Sequence, residues 1–336
     1  MMWKPMTAID ETLRGLGQIP NVQVSAGASL ALYTRFGLGG PADIYAETDG
    51  VASFVAAVRV ARLSGLDYSI IGGGTNLVAA DEGYRGIVLR FTGSAIAAEG
   101  NRVAAEAGAE LQTVVDFAIG RGLAGLETLA GIPGSLGAAI YGNAGAYGRS
   151  IAEVAARVTF FDGQDVRALA GPECEFRYRE SVFKRHKEWI VFSAELELVE
   201  GDGAELRRRA DGILALRNTK FPPTMKCAGS VFKNLLASEL PPGVAVPPEA
   251  EREGKVPAAY FLEQVGAKGL AHGGIRVADY HANLIYNAGG GTARQFRELA
   301  AELKARVRER FGLELEEEVQ YLGFGPAGRL HERIHS

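Results

Sequence analysis

The residues of this sequence that could do chemistry begin with three adjacent glycines, Gly72, Gly73 and Gly74, which follow a predicted strand at 67–71. Consecutive glycines leave backbone N–H groups uncovered, and such groups can form a concave site that binds phosphate. The dinucleotide-binding fingerprint G-x-G-x-x-G does not fit, because it requires a glycine where Leu77 stands. No amphipathic helix follows the loop either. The pattern therefore disfavours a Rossmann site and leaves open a phosphate-binding loop or a simple tight turn.

A second glycine-rich segment, residues 128–148, contains no charged residue over a length of 21 residues. Its glycines let the backbone approach a flat ligand closely, and the lack of charge suits a buried aromatic ring system. The alternative is a turn-rich segment that packs one lobe of the protein on another. The length would suffice for a membrane span, but six glycines and Pro133 would break a lone helix in lipid, and we reject that interpretation. The two glycine clusters together favour a large nucleotide cofactor.

Hydrophobic periodicity predicts the strands and helices that must position these segments. Apolar and β-branched runs bounded by glycine predict strands, and apolar stripes at helical spacing predict helices. The predicted strands are 67–71, 86–91, 157–163, 189–199 and 313–324. The predicted helices are 49–64, 110–121 and 292–311, the last with Thr292 as its N-cap and Gly312 at its end. A helix at 201–218 is predicted to connect a larger α+β unit to a smaller one, in which 240–257 forms a surface loop.

Composition narrows the class of protein. Glycine makes up 44 of the 336 residues but follows no three-residue period, which excludes collagen. A hydrophobic content of 47% and a net charge of −4 argue against disorder. The 36 basic residues are balanced by 40 acidic ones, so no nucleic-acid-binding surface is predicted. Cys174 and Cys227 lack CxxC spacing, so we expect reduced thiols in the cytoplasm rather than a disulfide or a zinc site.

Seven motifs occur in the order found in one known family. They are TRFGLGGPAD (34–43), IGGGTNLV (71–78), GLETLAGIPGSLGAAIYGNAGAYG (125–148), YRESVF (178–183), AGSVFKN (228–234), FLEQVGAKG (261–269) and LELEEEVQYLG (313–323). With them the sequence resembles, from about residue 30 to residue 323, the UDP-N-acetylenolpyruvoylglucosamine reductases, flavoenzymes of bacterial peptidoglycan precursor synthesis. Residues 199–218 lack the tyrosine-bearing insertion of one subclass, so the resemblance is to the second subclass.

The resemblance implies an α+β fold in which a two-lobed FAD-binding domain of the vanillyl-alcohol-oxidase type precedes a smaller α+β substrate-binding domain. The implied parts are an N-terminal helical extension (1–20), the FAD-binding domain (21–215, with lobes at about 21–92 and 93–215), the substrate-binding domain (216–325) and a flexible tail (326–336). It implies non-covalent FAD, NADPH as hydride donor and UDP-N-acetylglucosamine enolpyruvate as substrate, with UDP-N-acetylmuramate as product. We expect a cytoplasmic monomer with no metal, nucleic-acid or membrane partner.

The resemblance also implies roles for individual residues. FAD-binding positions are Gly72, Gly73, Gly74, Thr75, Asn76 and Leu77 at the pyrophosphate, and Gly131, Ile132, Pro133, Gly134, Ser135, Gly137, Ala138, Asn143, Gly145 and Ala146 around the flavin. Substrate-binding positions are Tyr178, Lys220 and Asn234. The catalytic positions are Ser230, which protonates C2 of the substrate, and Arg179 and Glu318, which lie beside the developing enol.

The chemistry explains why these residue types are used. Hydride transfer from the flavin to C3 of the substrate builds negative charge at C2 and at the adjoining carboxylate. Arginine stays charged and can meet a carboxylate with two parallel hydrogen bonds, and a positioned acid supplies the proton. From the residues alone, Arg179 would be interpreted as part of a surface ion pair, Ser230 as a turn residue and Glu318 as part of a solvated acidic face.

Two other functions stay open at the level of the sequence. One is a carbohydrate or alcohol oxidase on the same FAD fold. Many such enzymes tether the flavin through histidine, and no histidine precedes His186. The other is a non-catalytic UDP-sugar-binding homologue, against which the intact Arg179, Ser230 and Glu318 argue. His281 matches a family segment, and we expect it to have a structural role.

Overall fold

The computed structural model describes residues 7–325 of the 336. Its helices are α1 (Ala8–Gly17), α2 (Val51–Leu63), α3 (Leu111–Gly120), α4 (Leu136–Tyr141), α5 (Val182–Arg185), α6 (Gly203–Lys220), α7 (Ala258–Gln264) and α8 (Ala293–Phe311). The helix expected within 1–20 and those expected at 49–64, 110–121 and 292–311 are confirmed. The predicted tail 326–336 lies outside the described residues.

The strands fall into three groups along the chain. The first group is β1 (Gln23–Ser29), β2 (Pro41–Thr48), β3 (Tyr68–Ile71), β4 (Leu77–Ala79) and β5 (Tyr84–Phe91). The second is β6 (Ile96–Glu99), β7 (Arg102–Glu106), β8 (Leu123–Ala124), β9 (Gly145–Ala146), β10 (Arg149–Ser150), β11 (Ala155–Phe161), β12 (Val166–Ala170), β13 (Ile190–Glu197) and β14 (Val199–Glu200). The third is β15 (Cys227–Ser230), β16 (Leu235–Leu236), β17 (Lys255–Val256), β18 (Ala271–His272), β19 (Ile275–Ala278), β20 (His281–Asn287) and β21 (Gln320–Leu322).

The first sheet has the strand order β1–β2–β5–β3. Strand β1 pairs antiparallel with β2, whereas β2, β5 and β3 run parallel. Because parallel strands need a crossover connection, helix α2 links β2 to β3. Its stripe of Phe54, Val55 and Val58 is buried against the sheet, as the periodicity predicts. The sheet therefore places the end of β3, where the glycine loop begins, at a fixed edge.

The second sheet is antiparallel, in the order β12–β11–β13–β7–β6. Alternation in β13 buries Phe192, Ala194 and Leu196, as predicted. Phe192 also contacts Phe91 of β5 and Phe54 of α2, with ring centroids 5.0 and 5.8 Å away. Phe54 and Phe91 lie 5.7 Å apart, and all three contacts are edge to face. These contacts pack the two sheets on each other, so the loops between them form the walls of one site.

The third sheet has the order β15–β20–β19–β18, and its core includes residues of α7 and α8. Thr292 caps α8 in a capping box with Gln295, and Gly312 ends the helix with a φ of +66°, as the sequence predicts. This unit carries the segments with Ser230, Asn234 and Glu318.

The smaller unit is joined to the larger one at strand β4. Strand β21 pairs with β4 in parallel, with Gln320 opposite Leu77 and Leu322 opposite Ala79. Just after β4, the carboxylate of Asp81 accepts hydrogen bonds from the N–H groups of Ala293 (2.8 Å) and Arg294 (2.9 Å) at the start of α8. A residue that follows β4 in the larger unit thus caps a helix of the smaller unit.

The strand predicted over 313–324 is wrong in extent, because regular pairing is confined to β21. Residues 316–318 instead lie against the segment after β15. There the backbone N–H of Lys233 donates to the carbonyl of Glu316, and the backbone N–H of Glu318 donates to the carbonyl of Val231. The alternating burial that suggested a strand is present, since Leu313 and Leu315 are buried. An extended segment can therefore bury every second side chain without joining a ladder.

Two further predictions, for 201–218 and for 240–257, can be compared with the structure. Helix α6 spans Gly203–Lys220 rather than 201–218. The stretch 240–257 includes a short 3₁₀ turn, Pro248–Ala250, and ends in β17, which pairs with β16. Among residues 7–325 no helix is long and apolar enough to cross a membrane. Cys174 and Cys227 are buried thiols without a disulfide.

Replacing Asp81 with alanine should weaken the junction between the two units, because two N–H groups at the start of α8 lose their acceptor. Loss of a helix-capping side chain costs about 0.5–2 kcal/mol, and we expect the free energy of unfolding to fall by about 1 kcal/mol. Urea unfolding followed by tryptophan fluorescence measures it. The exposed Asp165 provides a matched control, and an Asp81→Ala variant as stable as Asp165→Ala would contradict the proposed capping.

Candidate active site

The loop 72–76 connects β3 to β4 and presents a run of backbone donors. None of its five N–H groups has a protein acceptor among residues 7–325. Gly74 has a φ of +65°, and a Cβ there would lie 1.8 Å from the carbonyl oxygen of Tyr33, so this position requires glycine. Consecutive unpaired N–H groups on a glycine loop are the arrangement that binds phosphate oxygens.

Two adjoining cavities of about 210 and 250 Å³ open along this loop, and both have Gly72, Gly73, Thr75 and Ser135 in their walls. The cofactor positions expected from the sequence that line at least one of them are Gly72, Gly73, Gly74, Thr75, Asn76, Leu77, Gly134, Ser135, Gly137 and Ala138. Those that line neither of these two are Gly131, Ile132, Pro133, Asn143, Gly145 and Ala146. The structure thus brings the first glycine loop and the start of α4 together.

Several side chains that the sequence does not single out enclose the first cavity. They are Phe91 at the end of β5, Tyr141 at the end of α4, Trp189 before β13, and Val191 within β13. The alternation in β13 held a usable signal, because the face opposite Phe192 is the one that carries Val191. Phe91, Tyr141 and Trp189 had no such signal, since each stands at the end of an element.

The lining of the cavities fits FAD. Among the described residues that line the first cavity, Lys187 is the one with a charge. Most of the other lining residues are aliphatic, aromatic or glycine, which suits a flavin or adenine ring. The second cavity has both Arg90 and Glu110 in its walls, together with Gly72 and Gly73, and the Arg90 guanidinium lies 3.8 Å from the Glu47 carboxylate. No histidine or cysteine lines either cavity among residues 7–325, so the walls offer no covalent tether of those types.

The later part of the uncharged segment contacts a turn rather than the cavities. Asn143, buried and with a φ of +43°, donates through Nδ2 to the carbonyl of Arg177 (2.8 Å). The carbonyl of Gly145 accepts from Nη2 of Arg179 (3.3 Å). The segment therefore supports the turn 177–180, which carries Tyr178 and Arg179.

Arg179 is held in an unfavourable backbone conformation at the centre of the site. The turn is closed by two backbone hydrogen bonds between Arg177 and Glu180, and Arg179 within it has a φ of +55°. A non-glycine residue in this region costs about 1–3 kcal/mol and is typical of functional sites. Its Nε donates to Glu318 Oε1 at 2.7 Å, and both side chains are about a quarter exposed. The pair is sheltered, yet still accessible to a ligand.

Glu318 is fixed through its backbone to both units. Its carbonyl accepts from Asn76 Nδ2 (2.9 Å) at the end of the glycine loop. Its N–H donates to the carbonyl of Val231 (2.7 Å), the residue that follows Ser230. The Arg179–Glu318 pair therefore lies where the loop 72–76, the turn 177–180 and the segment after β15 converge. Ser230, the third expected catalytic position, ends β15 directly before Val231, and no described contact joins its side chain to Arg179 or Glu318.

Arg217 is a further cation near Arg179, which no motif in the sequence indicates. Its Nε is buried without a hydrogen-bond partner among the described residues, and its side chain lies against Gly131. Burial, with the like charges of Arg179 and Arg35 nearby, lowers the pKa of the Arg217 guanidinium from its ordinary value. A cluster of arginines with an unpaired buried donor is suited to an anionic ligand.

Two lysines beside this cluster are neutralised by carboxylates. Lys184 Nζ donates to the carbonyl of Arg179 (2.7 Å) and lies 3.4 Å from Glu180, and burial lowers the pKa of its ammonium. Lys233 lies between Glu316 and Glu180. Burial opposes its charge, but the two carboxylates outweigh burial and raise the pKa of Lys233. Both lysines serve the internal network.

The three substrate positions expected from the sequence lie in different surroundings. The Tyr178 ring contacts two cations, the Arg179 guanidinium at 5.2 Å from its centroid and the Lys255 ammonium at 4.5 Å. Asn234 Oδ1 accepts from the N–H of Ala258 at the start of α7 (3.3 Å). Lys220 is exposed at the end of α6, where its carbonyl accepts from Tyr280 Oη, and no described contact joins it to Tyr178 or Arg179.

A buried asparagine, also missed from the sequence, fixes the segment after Ser230. The Asn283 side chain accepts from the N–H of Phe232 (2.9 Å) and donates to its carbonyl (2.8 Å). The N–H of Asn283 in turn donates to Nδ1 of His281 (3.2 Å). Burial, and then the nearby Lys220 ammonium, lower the pKa of His281, which favours the neutral ring that this hydrogen bond requires. His281 thus has a structural contact, as expected.

Replacing Asn283 with alanine should leave the buried N–H and carbonyl of Phe232 without partners. An unpaired buried group costs about 1–3 kcal/mol, so we expect the free energy of unfolding to fall by about 2 kcal/mol or more. Urea unfolding measures it, with Asn218→Ala on the exposed face of α6 as a control that stays within about 0.5 kcal/mol of the parent. Equal stability of the two variants would show that the Asn283 bonds contribute nothing.

Comparison with known proteins gives consistent results over nearly the whole chain. A model of the UDP-N-acetylenolpyruvoylglucosamine reductase C-terminal domain matches residues 221–322, and a model of an FAD binding domain matches residues 42–165. UDP-N-acetylenolpyruvoylglucosamine reductase of Solibacter usitatus is 63% identical over 310 residues, which cover 92% of this chain and 99% of the relative. The enzyme of the same name from Rubrobacter xylanophilus is 38% identical over 297 residues, covering 88% and 93%.

One solved structure is similar over the same range. It is the UDP-N-acetylenolpyruvylglucosamine reductase of Thermus caldophilus, which is 29% identical with a TM-score of 0.69. The match covers 90% of this chain and 98% of that one. The matched family models include the glycine loop, within 42–165, and the segment that carries Glu318, within 221–322.

Proposed function

The chain belongs to the UDP-N-acetylenolpyruvoylglucosamine reductase family, and we propose that it reduces the enolpyruvyl group of UDP-N-acetylglucosamine enolpyruvate to the lactyl ether of UDP-N-acetylmuramate with NADPH as hydride donor. The observation that carries the proposal is the Arg179–Glu318 pair, whose glutamate is hydrogen-bonded to the end of the glycine loop. It joins a group suited to a carboxylate substrate with a loop suited to a dinucleotide cofactor.

The reaction adds one hydride to C3 and one proton to C2 of the carbon–carbon double bond, so NADPH and a proton are consumed for each product. FAD, when bound, supplies the two-electron carrier between NADPH and the substrate. The chain's own residues have to bind both ligands, stabilise the charge that grows at C2 and its carboxylate, and deliver the proton.

We assign FAD to the two adjoining cavities. The free N–H groups of 72–76 would hold its pyrophosphate, with the Arg90 guanidinium nearby. Residues 131–138 and 143–146 would surround the flavin. The support differs between these groups, because Gly134, Ser135, Gly137 and Ala138 line a cavity, whereas Asn143 and Gly145 support the turn that carries Arg179.

We assign the substrate carboxylate to Arg179 and the protonation of C2 to Ser230. The guanidinium uses Nε for Glu318 and Nη2 for Gly145, and these bonds fix its orientation before the ligand arrives. A preorganised donor aimed at developing charge is worth about 2.7–4 kcal/mol in the transition state. Arg217 adds positive charge beside it. A binding-only homologue would not need a serine beside this pair.

We further propose that residues 21–215 form the FAD-binding domain and 216–325 the substrate-binding domain, in which Tyr178 of the first domain, Lys220 and Asn234 contact the UDP-sugar. The buried, unpaired thiols of Cys174 and Cys227 support a reducing, cytoplasmic location. We propose that the enzyme acts as a monomer, since every catalytic position named here lies in one chain.

The proposed reaction can be followed through the colour of the flavin. Purified protein should be yellow and should release FAD on denaturation. Under anaerobic conditions NADPH should bleach it, and UDP-N-acetylglucosamine enolpyruvate should restore the colour. A Ser230→Ala variant should bleach normally but recover its colour more slowly by roughly 10²–10⁴-fold, because its proton donor is lost.

The exposed Ser238 provides the matched control, and Ser238→Ala should recover at the parent rate. A colourless protein that does not take up FAD, or a bleached protein that the enolpyruvyl substrate leaves bleached, would overturn the proposed function. Recovery of Ser230→Ala at the parent rate would overturn the serine assignment alone.

A further inference from the structure

We propose that Lys255 binds a phosphate group of the ligands that occupy the active site, a role that rests on the proposed function and makes Lys255 a further binding residue of the same site. Both ligands of the proposed reaction, the UDP-sugar and NADPH, carry a diphosphate, and NADPH carries a 2′-phosphate as well. The evidence lies in the position of Lys255, in its unpaired charge and in the burial of its side chain.

Lys255 lies on a short strand that backbone pairing holds beside the segment after Asn234. Strand β17 pairs with β16, which directly follows Asn234, and two backbone hydrogen bonds between Arg252 and Lys255 close the turn. The turn also touches the larger unit, because the Glu253 carboxylate lies against Gly148, where a Cβ would be 3.0 Å from Oε1. A loop of the substrate unit therefore reaches across to the segment that supports Arg179.

The ammonium of Lys255 lies 4.5 Å from the centroid of the Tyr178 ring, on the residue next to Arg179. An aromatic ring attracts a cation but carries no net charge, so it does not neutralise one. Among residues 7–325 no carboxylate lies within 4.0 Å of Lys255 Nζ, whereas the neighbouring Lys184 and Lys233 are both paired with Glu180. Lys255 is thus the lysine of this group whose charge the protein leaves unmatched.

The half-buried position of Lys255 indicates that its unpaired ammonium has an anionic partner in the ligand-bound state. Partial removal of an ammonium from water is unfavourable unless an anion accompanies it. The carboxylate of Glu318, the partner of the neighbouring Arg179, is already bonded to that guanidinium. A phosphate group supplies the missing charge, and lysine suits it because an ammonium meets phosphate oxygens as a compact point charge without a fixed orientation.

A Lys255→Met variant tests this proposal, because methionine keeps the length of the side chain and removes the charge. We expect its KM for at least one phosphate-bearing ligand to rise by about ten- to a hundredfold, with FAD content and the anaerobic spectrum unchanged. This range corresponds to the roughly 1.5–3 kcal/mol of a hydrogen bond to a charged group. Lys255→Arg should recover most of the loss, and higher salt should weaken parent binding more than variant binding.

Separate measurements with UDP-N-acetylglucosamine enolpyruvate, NADPH and NADH identify the phosphate. A rise for all three ligands assigns Lys255 to the shared diphosphate, and a rise for NADPH alone assigns it to the 2′-phosphate. Lys268→Met, which removes a lysine paired with Glu263 on the same unit, is the control and should leave all three values unchanged.

Direct binding gives an independent readout. Titration with UDP, followed through the flavin spectrum, should show the same weakening in Lys255→Met if the diphosphate is the target. A Lys255→Met variant with parent KM values for all three ligands would overturn the assignment, while the bleaching and recovery of the parent enzyme would leave the proposed function standing. Failure of the parent to react at all would instead count against the proposed function.

Discussion

The site depends on the pairing of the last strand with the strand that follows the glycine loop. Parallel pairing of β21 with β4 brings Glu318 beside Asn76, whose side chain donates to the carbonyl of Glu318. Without this pairing the loop 72–76 and the segment 316–318 would belong to separate units. With it, the residue that ends a phosphate-binding loop also holds the backbone of the glutamate that faces Arg179. The Asp81 cap on α8 strengthens the same junction.

Charge and strain are concentrated around Arg179. Its backbone is held at a φ of +55° by the closed turn 177–180, and its side chain is oriented by Glu318 and by the carbonyl of Gly145. Such an arrangement costs free energy in the absence of a ligand, and it repays that cost only where a fixed guanidinium improves binding or catalysis. Arg217, whose buried Nε has no hydrogen-bond partner among the described residues, and Lys255 add positive charge that no described carboxylate pairs within 4.0 Å. The site is therefore built for an anionic ligand.

Much of the framework could be predicted from the sequence, because it follows from local patterns. Apolar stripes and glycine ends located α2, α3 and α8, and the Thr292 cap was visible in the sequence. The family and its fold were identified from ordered motifs, and the comparisons confirm both. The glycine loop could be recognised because free backbone donors need glycine, a constraint that acts on the local chain.

What escaped prediction depends on contacts between distant segments. The burial period of 313–324 resembles that of a strand, although the partner strand exists only for β21. Trp189 and Tyr141 line the cavity because the first and second sheets pack together, which no local pattern in the sequence reports. Asn283 looks like an ordinary polar residue in the sequence, and its role appears only when Phe232 lies beside it. Asn76 was expected at the cofactor, but its hydrogen bond to the carbonyl of Glu318 was not predicted. Lys255 stands in a proline-rich stretch that the sequence predicts as a surface loop.

The most direct test of this account is a crystal structure of the yellow, oxidised protein. The account predicts FAD with its pyrophosphate oxygens within hydrogen-bond distance of the backbone N–H groups of 72–76. It also predicts that the flavin ring faces the convergence of Ser230, Arg179 and Glu318. A structure with the pyrophosphate away from that loop, or with Arg179 and Glu318 separated from each other and from the flavin, would contradict the account.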